Sequence, residues 1–125
     1  MATLADIMTK DVFTAAPDTP VSEVADSMVR GRFGSALVMR SSMLVGILTE
    51  RDVLRAAASG TDLTTSRTGD WMTSDPETVE SGTDSEEAAQ LMLSNGFRPL
   101  PVVDGNECVG IVSLRDVLGV RIGRK

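Results

Sequence analysis

The chain contains no histidine and one cysteine, Cys108, in 125 residues. Without histidine there is no Ser-His or Cys-His nucleophile pair, and the commonest metal ligand is missing. A single cysteine makes neither an intrachain disulfide nor a cysteine-cluster metal site. No catalytic residue and no metal ligand is assigned, no cofactor is required, and an enzyme is not expected. Positive charge is also short. The formal net charge of −6 disfavours a nucleic-acid partner, because such binders are usually basic. No apolar run approaches the ~20 residues that cross a bilayer. The opening MATLADIMTK has no apolar stretch of a secretory kind. The expectation is a cytoplasmic protein with no membrane partner.

What is present is repetition. "GILTERD" at residues 46–52 returns as "GIVSLRD" at 110–116. At the same constant offset of 64 residues, Asp6-Ile7-Met8-Thr9 lies over Asp70-Trp71-Met72-Thr73, Thr14 over Thr78, Met28 over Met92, and Val38 over Val102. Phe33 likewise lies over Phe97, and Arg51-Asp52-Val53-Leu54 over Arg115-Asp116-Val117-Leu118. No gap is needed, and roughly a third of aligned positions are identical, which marks an internal duplication.

Both copies give the same secondary-structure reading. Thr19 is expected to cap a helix with Pro20 at its first position, and Val21, Val24, Ala25, Met28 and Val29 form one apolar stripe ended by Gly31. In the second copy Thr83-Asp84-Ser85-Glu86 has the form of a capping box. Ala88, Ala89, Met92 and Leu93 make the stripe, and Gly96 ends it. Residues 36–39 with 44–48, and 100–103 with 108–112, predict strand pairs, each followed by a helix that starts at Thr49 or Ser113. The fold class is therefore α/β (α+β): two repeats, each roughly β-α-β-β-α. Repeat 1 is placed at 1–58, a polar linker at 59–68, and repeat 2 at 69–125. A unit of about 55 residues buries little surface alone. The copies are expected to pack with pseudo-twofold symmetry, with a ligand cleft at their junction.

The repeated seven letters admit two readings. Thr49-Glu50-Arg51-Asp52 and Ser113-Leu114-Arg115-Asp116 both have the [ST]-x-x-[DE] form of a helix cap, which contributes about 1 kcal/mol and implies no ligand. The longer pattern adds a glycine, which admits a close neighbour, and a hydroxyl at a helix N-terminus, where phosphate is favoured. It also adds a carboxylate able to accept from a ribose diol and an arginine able to face phosphate.

The order and repetition of these pieces resemble a tandem pair of CBS domains, also called a Bateman module, from about Leu4 to Val120. The family's motif of glycine, two hydrophobic residues, Thr or Ser, two variable residues and Asp is matched in full at 46–52 and 110–116. "DIMT", "DWMT" and "RPLPVVD" (98–104) are also similar to the family. The resemblance implies that Asp52 and Asp116 hold ribose hydroxyls and that Thr49 and Ser113 lie near ribose or phosphate. Apart from the resemblance, Arg51 and Arg115 beside these acids are able to supply positive charge for phosphate. By position, the segments around Thr14 and Phe33 to Ala36, including Ser35 and Ala36, and around Thr78 and Phe97 to Leu100, including Pro99, flank adenine. It implies an adenosyl ligand (AMP, ADP or ATP, with S-adenosylmethionine a further member of the class) and a regulatory rather than chemical role. The copies differ where Gly34 stands opposite Arg98, so the site using Asp116 is expected to hold phosphate better.

Met28 and Met92, in matching stripes, read as core, and Met43 lies at a turn. Cys108 reads as a small hydrophobe in the place of Leu44, and Trp71 as packing, with nucleotide stacking as the alternative. The basic end 121–125 reads as solvated. The apolar positions Val53, Leu54, Val117, Leu118 and Val120 exceed what one small junction covers, so a homodimer is expected. The expected function is an adenosyl-nucleotide sensor acting by conformational change on a regulated protein that the sequence does not identify. The alternative is a ligand-free interaction scaffold built on the same pair.

Overall fold

The apolar stripe of the first repeat becomes α2 (Val21–Gly31), whose buried residues are Val21, Val24 and Met28. The structure is a computed structural model that describes residues 2–96 and 98–121, without the side chains of Val120 and Arg121. The expectations for Phe97, the Val120 side chain and the basic end fall outside the described residues. Ahead of α2 come α1 (Leu4–Ile7) and β1 (Thr14–Ala15). After it come β2 (Ser35–Arg40), β3 (Met43–Thr49), α3 (Glu50–Ala58), α4 (Thr68–Trp71) and β4 (Thr73–Ser74). The second repeat continues with α5 (Ser85–Ser94), β5 (Leu100–Asp104), β6 (Glu107–Val112) and α6 (Leu114–Arg121). The class is mixed α+β, as the repeated pattern implies.

The chain forms two compact units, Val12–Pro76 and Met1–Asp11 with Glu77–Lys125. Each unit takes one short segment from the opposite repeat. In the Val12–Pro76 unit the sheet order is β1-β2-β3-β4, with β1 parallel to β2 and the other pairs antiparallel. Its last pairing sets Ile47 against Thr73. In the other unit β5 pairs antiparallel with β6. Thr9 bridges to Ile111 at the position matching Thr73, and Val79 bridges in parallel to Val102 at the position matching Ala15. Leu4 of α1 is fully buried in this unit's core with Ala88, Met92, Leu100, Val102, Val112 and Val117. The other core gathers Val24, Met28, Ala36, Val38 and Leu48, with Trp71 and Met72 packed against it.

The glycine of each seven-letter motif is explained by this added segment. A Cβ on Gly46 would lie 2.9 Å from the carbonyl oxygen of Thr73 and closer still to Met72 Sδ. On Gly110 it would lie 2.8 Å from the Thr9 carbonyl oxygen and 2.9 Å from Met8 Sδ. The close neighbour that glycine admits is the protein's own backbone.

Several local expectations are corrected. Pro20, not Thr19, is the N-cap of α2. The Thr19 hydroxyl instead accepts from the Ala16 N–H at 3.3 Å. Asp84 caps α5 through the Glu86 N–H at 3.2 Å, so no Thr83–Glu86 box forms. Val29 and Leu93, placed in the apolar stripes, are 78% and 58% exposed, and Val117 is buried core rather than surface. Residues 59–67 carry no helix or strand, yet they are tied down. The Asp62 carboxylate accepts from Thr64 N–H and Oγ1, and the Leu63 and Ser66 carbonyls accept from the first turn of α2.

Because one of the atoms crowding each glycine is a backbone oxygen that cannot rotate away, Gly110→Ala and Gly46→Ala are each expected to cost about 1–3 kcal/mol through overpacking. Urea unfolding followed by circular dichroism measures this, and a midpoint unchanged in both variants contradicts the assignment.

Candidate functional site at the starts of α3 and α6

β3 ends at Thr49 and β6 ends one residue before Ser113, so each motif hydroxyl stands where a strand turns into a helix. At Thr49 the cap is reciprocal. Thr49 Oγ1 accepts from the Asp52 N–H at 3.3 Å, while Asp52 Oδ2 accepts from the Thr49 N–H at 2.9 Å and the Thr49 hydroxyl at 3.1 Å. Ser113 and Asp116 repeat this geometry at 3.4, 2.9 and 3.1 Å. The capping reading of both motifs is thus realised in full, and it occupies one oxygen of each carboxylate. Asp52 is buried and Asp116 half-buried.

The second oxygens differ. Asp52 Oδ1 accepts from Arg55 Nη1 at 2.8 Å, and the Arg55 guanidinium carbon lies 5.5 Å from the centre of the Trp71 ring. Among the described residues Asp116 has no ion pair.

The Val12–Pro76 unit brings several named residues to one sheet end. Ser35 pairs with Thr49 and Ala36 with Leu48, while Thr14 pairs with Leu37, two residues along β2. Ser35 is half-buried, Ala36 fully buried and Thr14 exposed. Gly34 lies beside Glu50, whose N–H bonds to the Gly34 carbonyl at 3.2 Å. Phe33 stacks on Phe13, with ring centres 5.6 Å apart. Arg51 is exposed. In the other unit Arg98 and Pro99 lead into β5, whose Leu100 pairs with Val112, the residue before Ser113. Pro99 is half-buried, whereas Arg98, Thr78 and Arg115 are exposed. A separate open cavity of about 400 Å³ lies between β1 and α2, and of the named site residues only Thr14 lines it.

The Arg55–Trp71 pair was not singled out in the sequence. Its signals are the Asp52–Arg55 spacing of three on a helix and two breaks in the repeat, Arg55 against Gly119 and Trp71 against Ile7. Among the described residues no cluster of three or more His, Cys, Asp or Glu is placed to hold a metal ion, and no helix is long and apolar enough to cross a membrane.

The sequence model of the CBS domain matches residues 4–59 and 69–123. The chain is 36% identical over 118 residues to the CBS domain-containing protein YhcV of Bacillus subtilis, spanning 94% of this chain and 84% of that one. Its fold matches CBSX2, a CBS-pair protein of Arabidopsis thaliana, in a structure in complex with AMP. The TM-score is 0.86 at 28% identity, over 100% of this chain and 99% of that one. It also matches a hexameric CBS-CP12 protein from bloom-forming cyanobacteria, with TM-score 0.86 and 28% identity over 93% of this chain and 66% of that one.

Cys108 is half-buried, and its thiol lies 3.8 Å from the Gly110 carbonyl oxygen. Burial pushes its pKa above the ordinary thiol value, with the Gly110 bond opposing the shift. The thiolate is the reactive form, so alkylation by iodoacetamide at pH 8 is expected to run slower than for a free thiol. Its rate is expected to keep rising with pH beyond the point, about 8.5, where free cysteine is half ionised. A rate at or above that of free cysteine contradicts the inert reading.

Proposed function

The chain belongs to the CBS domain family, and from that membership we propose that it is a regulatory module binding an adenosyl nucleotide and acting on a partner through conformational change. AMP, ADP and ATP are the ligands proposed first, with S-adenosylmethionine in the same class. The observation that carries the reading is the carboxylate at each motif. One oxygen of each caps the helix; the other is taken by Arg55 at Asp52 and forms no ion pair among the described residues at Asp116, and a ribose diol is received there in this reading. The AMP complex of CBSX2, similar along its whole length, supports the ligand class.

In this proposal Asp52 and Asp116 accept from ribose hydroxyls, and Thr49 and Ser113 stand near ribose or phosphate. Arg51, Arg115 and Arg98 offer charge to phosphate. Thr14, Ser35 and Ala36 in one unit, and Thr78 and Pro99 in the other, flank the base. Local cations carry more weight here because the net charge of −6 repels an anion at a distance. Ligand acts by favouring one arrangement of a pre-existing equilibrium, which the partner reads. The scaffold reading is favoured by a different observation: both motifs are complete caps without any ligand.

A ligand at 100 times its Kd stabilises by about 2.7 kcal/mol, which for a chain of this size raises the melting temperature by about ten degrees. Thermal melts with AMP, ADP, ATP and S-adenosylmethionine at millimolar concentration test this. No shift with any of them leaves the scaffold reading standing.

A homodimer is part of the same proposal. Leu54 is 69% exposed on α3 and Leu118 44% exposed on α6, and the neighbouring helices add Val29 and Leu93 at positions that match between the repeats. Each unit thus carries two large exposed apolar side chains, Val29 with Leu54 and Leu93 with Leu118, which suit association with a second copy. Light scattering at micromolar concentration is expected to give twice the chain mass of 13.2 kDa, and Leu54→Glu is expected to shift it toward the monomer. A wild-type mass of one chain overturns the dimer.

A further inference from the structure

Arg55 stands between two groups that have other uses. Its Nη1 takes Asp52 Oδ1 at 2.8 Å, and its guanidinium carbon lies 5.5 Å from the Trp71 ring centre. The Asp52 side chain is 9% exposed and that of Arg55 57%, so the arginine reaches inward from the surface to a sheltered acid. The other unit lacks both halves of this device: Gly119 stands at the position of Arg55 and Ile7 at that of Trp71.

A vicinal diol presents two O–H donors, and a carboxylate meets it best with both oxygens free to accept. At Asp52, Oδ2 already accepts from Thr49 N–H and Oγ1, and Oδ1 accepts from Arg55. At Asp116, Oδ2 carries the matching cap bonds, and no cation among the described residues forms an ion pair with the carboxylate. Resting on the adenosyl-nucleotide reading, we propose that Arg55 is an internal competitor for ligand at Asp52. Arg55 holds the ribose-accepting oxygen until a diol displaces it from Asp52 and from the face of Trp71. The Asp116 motif therefore fills first, and the Asp52 motif second and more weakly. The competing interaction is a part-exposed ion pair with a cation–π contact, each a modest effect, so its removal is worth about three- to tenfold in affinity.

The test uses adenosine, which has no phosphate, and AMP, by calorimetry on Asp116→Ala protein with and without Arg55→Ala. Circular dichroism confirms that each variant is folded. Arg55→Lys, which keeps the charge but loses the guanidinium, is the second variant. Trp71 is the only tryptophan in the chain, so its fluorescence follows the displacement directly. The expected result is tighter adenosine binding by about three- to tenfold in Arg55→Ala, with Arg55→Lys between it and the parent. In wild type, Trp71 emission is expected to change with the weaker binding phase and not the tighter one. Unchanged or weaker adenosine binding in Arg55→Ala, while wild type still binds, overturns the competitor and leaves the nucleotide reading intact. Weaker AMP binding with adenosine unchanged makes Arg55 a phosphate ligand instead and also overturns it. If neither wild type nor any variant binds adenosine or AMP, the nucleotide reading itself fails and the competitor with it.

Discussion

A strand laid against a glycine governs the rest of this structure. Thr73 on Gly46, and Thr9 on Gly110, approach so closely that any side chain on the glycine would meet a carbonyl oxygen. The contact fixes the outer side of β3 and of β6, while β2 and β5 fix the other side. The strand ends then have no freedom left, and Thr49 and Ser113 stand where their hydroxyls close the first turn of the following helix. The same contact decides membership. Because β4 pairs with β3, the α4 turn before it brings Trp71 into the unit of Asp52. Because Thr9 pairs with Ile111, Leu4 enters the core that contains Val112 and Val117. A residue's repeat in the sequence and its unit in space are thus different things.

The capping and ligand readings of the seven-letter motif use different atoms. The cap needs the motif hydroxyl, two backbone N–H groups and one carboxylate oxygen. A diol needs the remaining oxygen and lone pairs left over on the first. A cap contributes about 1 kcal/mol. The cap therefore holds the carboxylate oriented whether or not a ligand is present. That is a condition for binding and no evidence against it.

The duplication, the α+β class and the main strands were legible in the sequence because apolar periodicity and turn residues recur in both copies. The exchange of the short segments was not. "DIMT" and "DWMT" precede near-identical strands, so nothing in the letters says which copy of the glycine each one meets. The stripes were read one residue too wide: Val29 and Leu93 follow Met28 and Met92 directly, and a helix turns them about 100° away, past the edge of the buried face. Val117 reads in the sequence as part of an apolar surplus with Val53, Leu54, Leu118 and Val120, but it faces the core with Leu4, a partner about 110 residues away in the chain. The motif residues were found as a set, while Arg55 escaped notice because it does not repeat.

The non-repeating positions are where the two halves part company chemically. Around its acid, the first copy carries Arg55 and has Gly34 at the place of Arg98. The second carries Arg98 and has Gly119 at the place of Arg55. Each copy thus has a single cation at one of these two places, and the choice of place changes its effect. On the first turns of the helix, three residues after the acid, a guanidinium satisfies the protein's own carboxylate and, with Trp71 beneath it, gains little by leaving. In the segment before β5, Arg98 is exposed and pairs with no acid among the described residues, so its charge stays available to an anion. Two motifs that share glycine, hydroxyl, arginine and acid therefore differ in their ion pairing: Asp52 is paired from within by Arg55, and Asp116 lies in a unit whose Arg98 pairs with no acid among the described residues. In the proposed function, the placing of one arginine is what makes the two copies of the site unequal, while the glycine, hydroxyl, arginine and acid of the motif are kept in both.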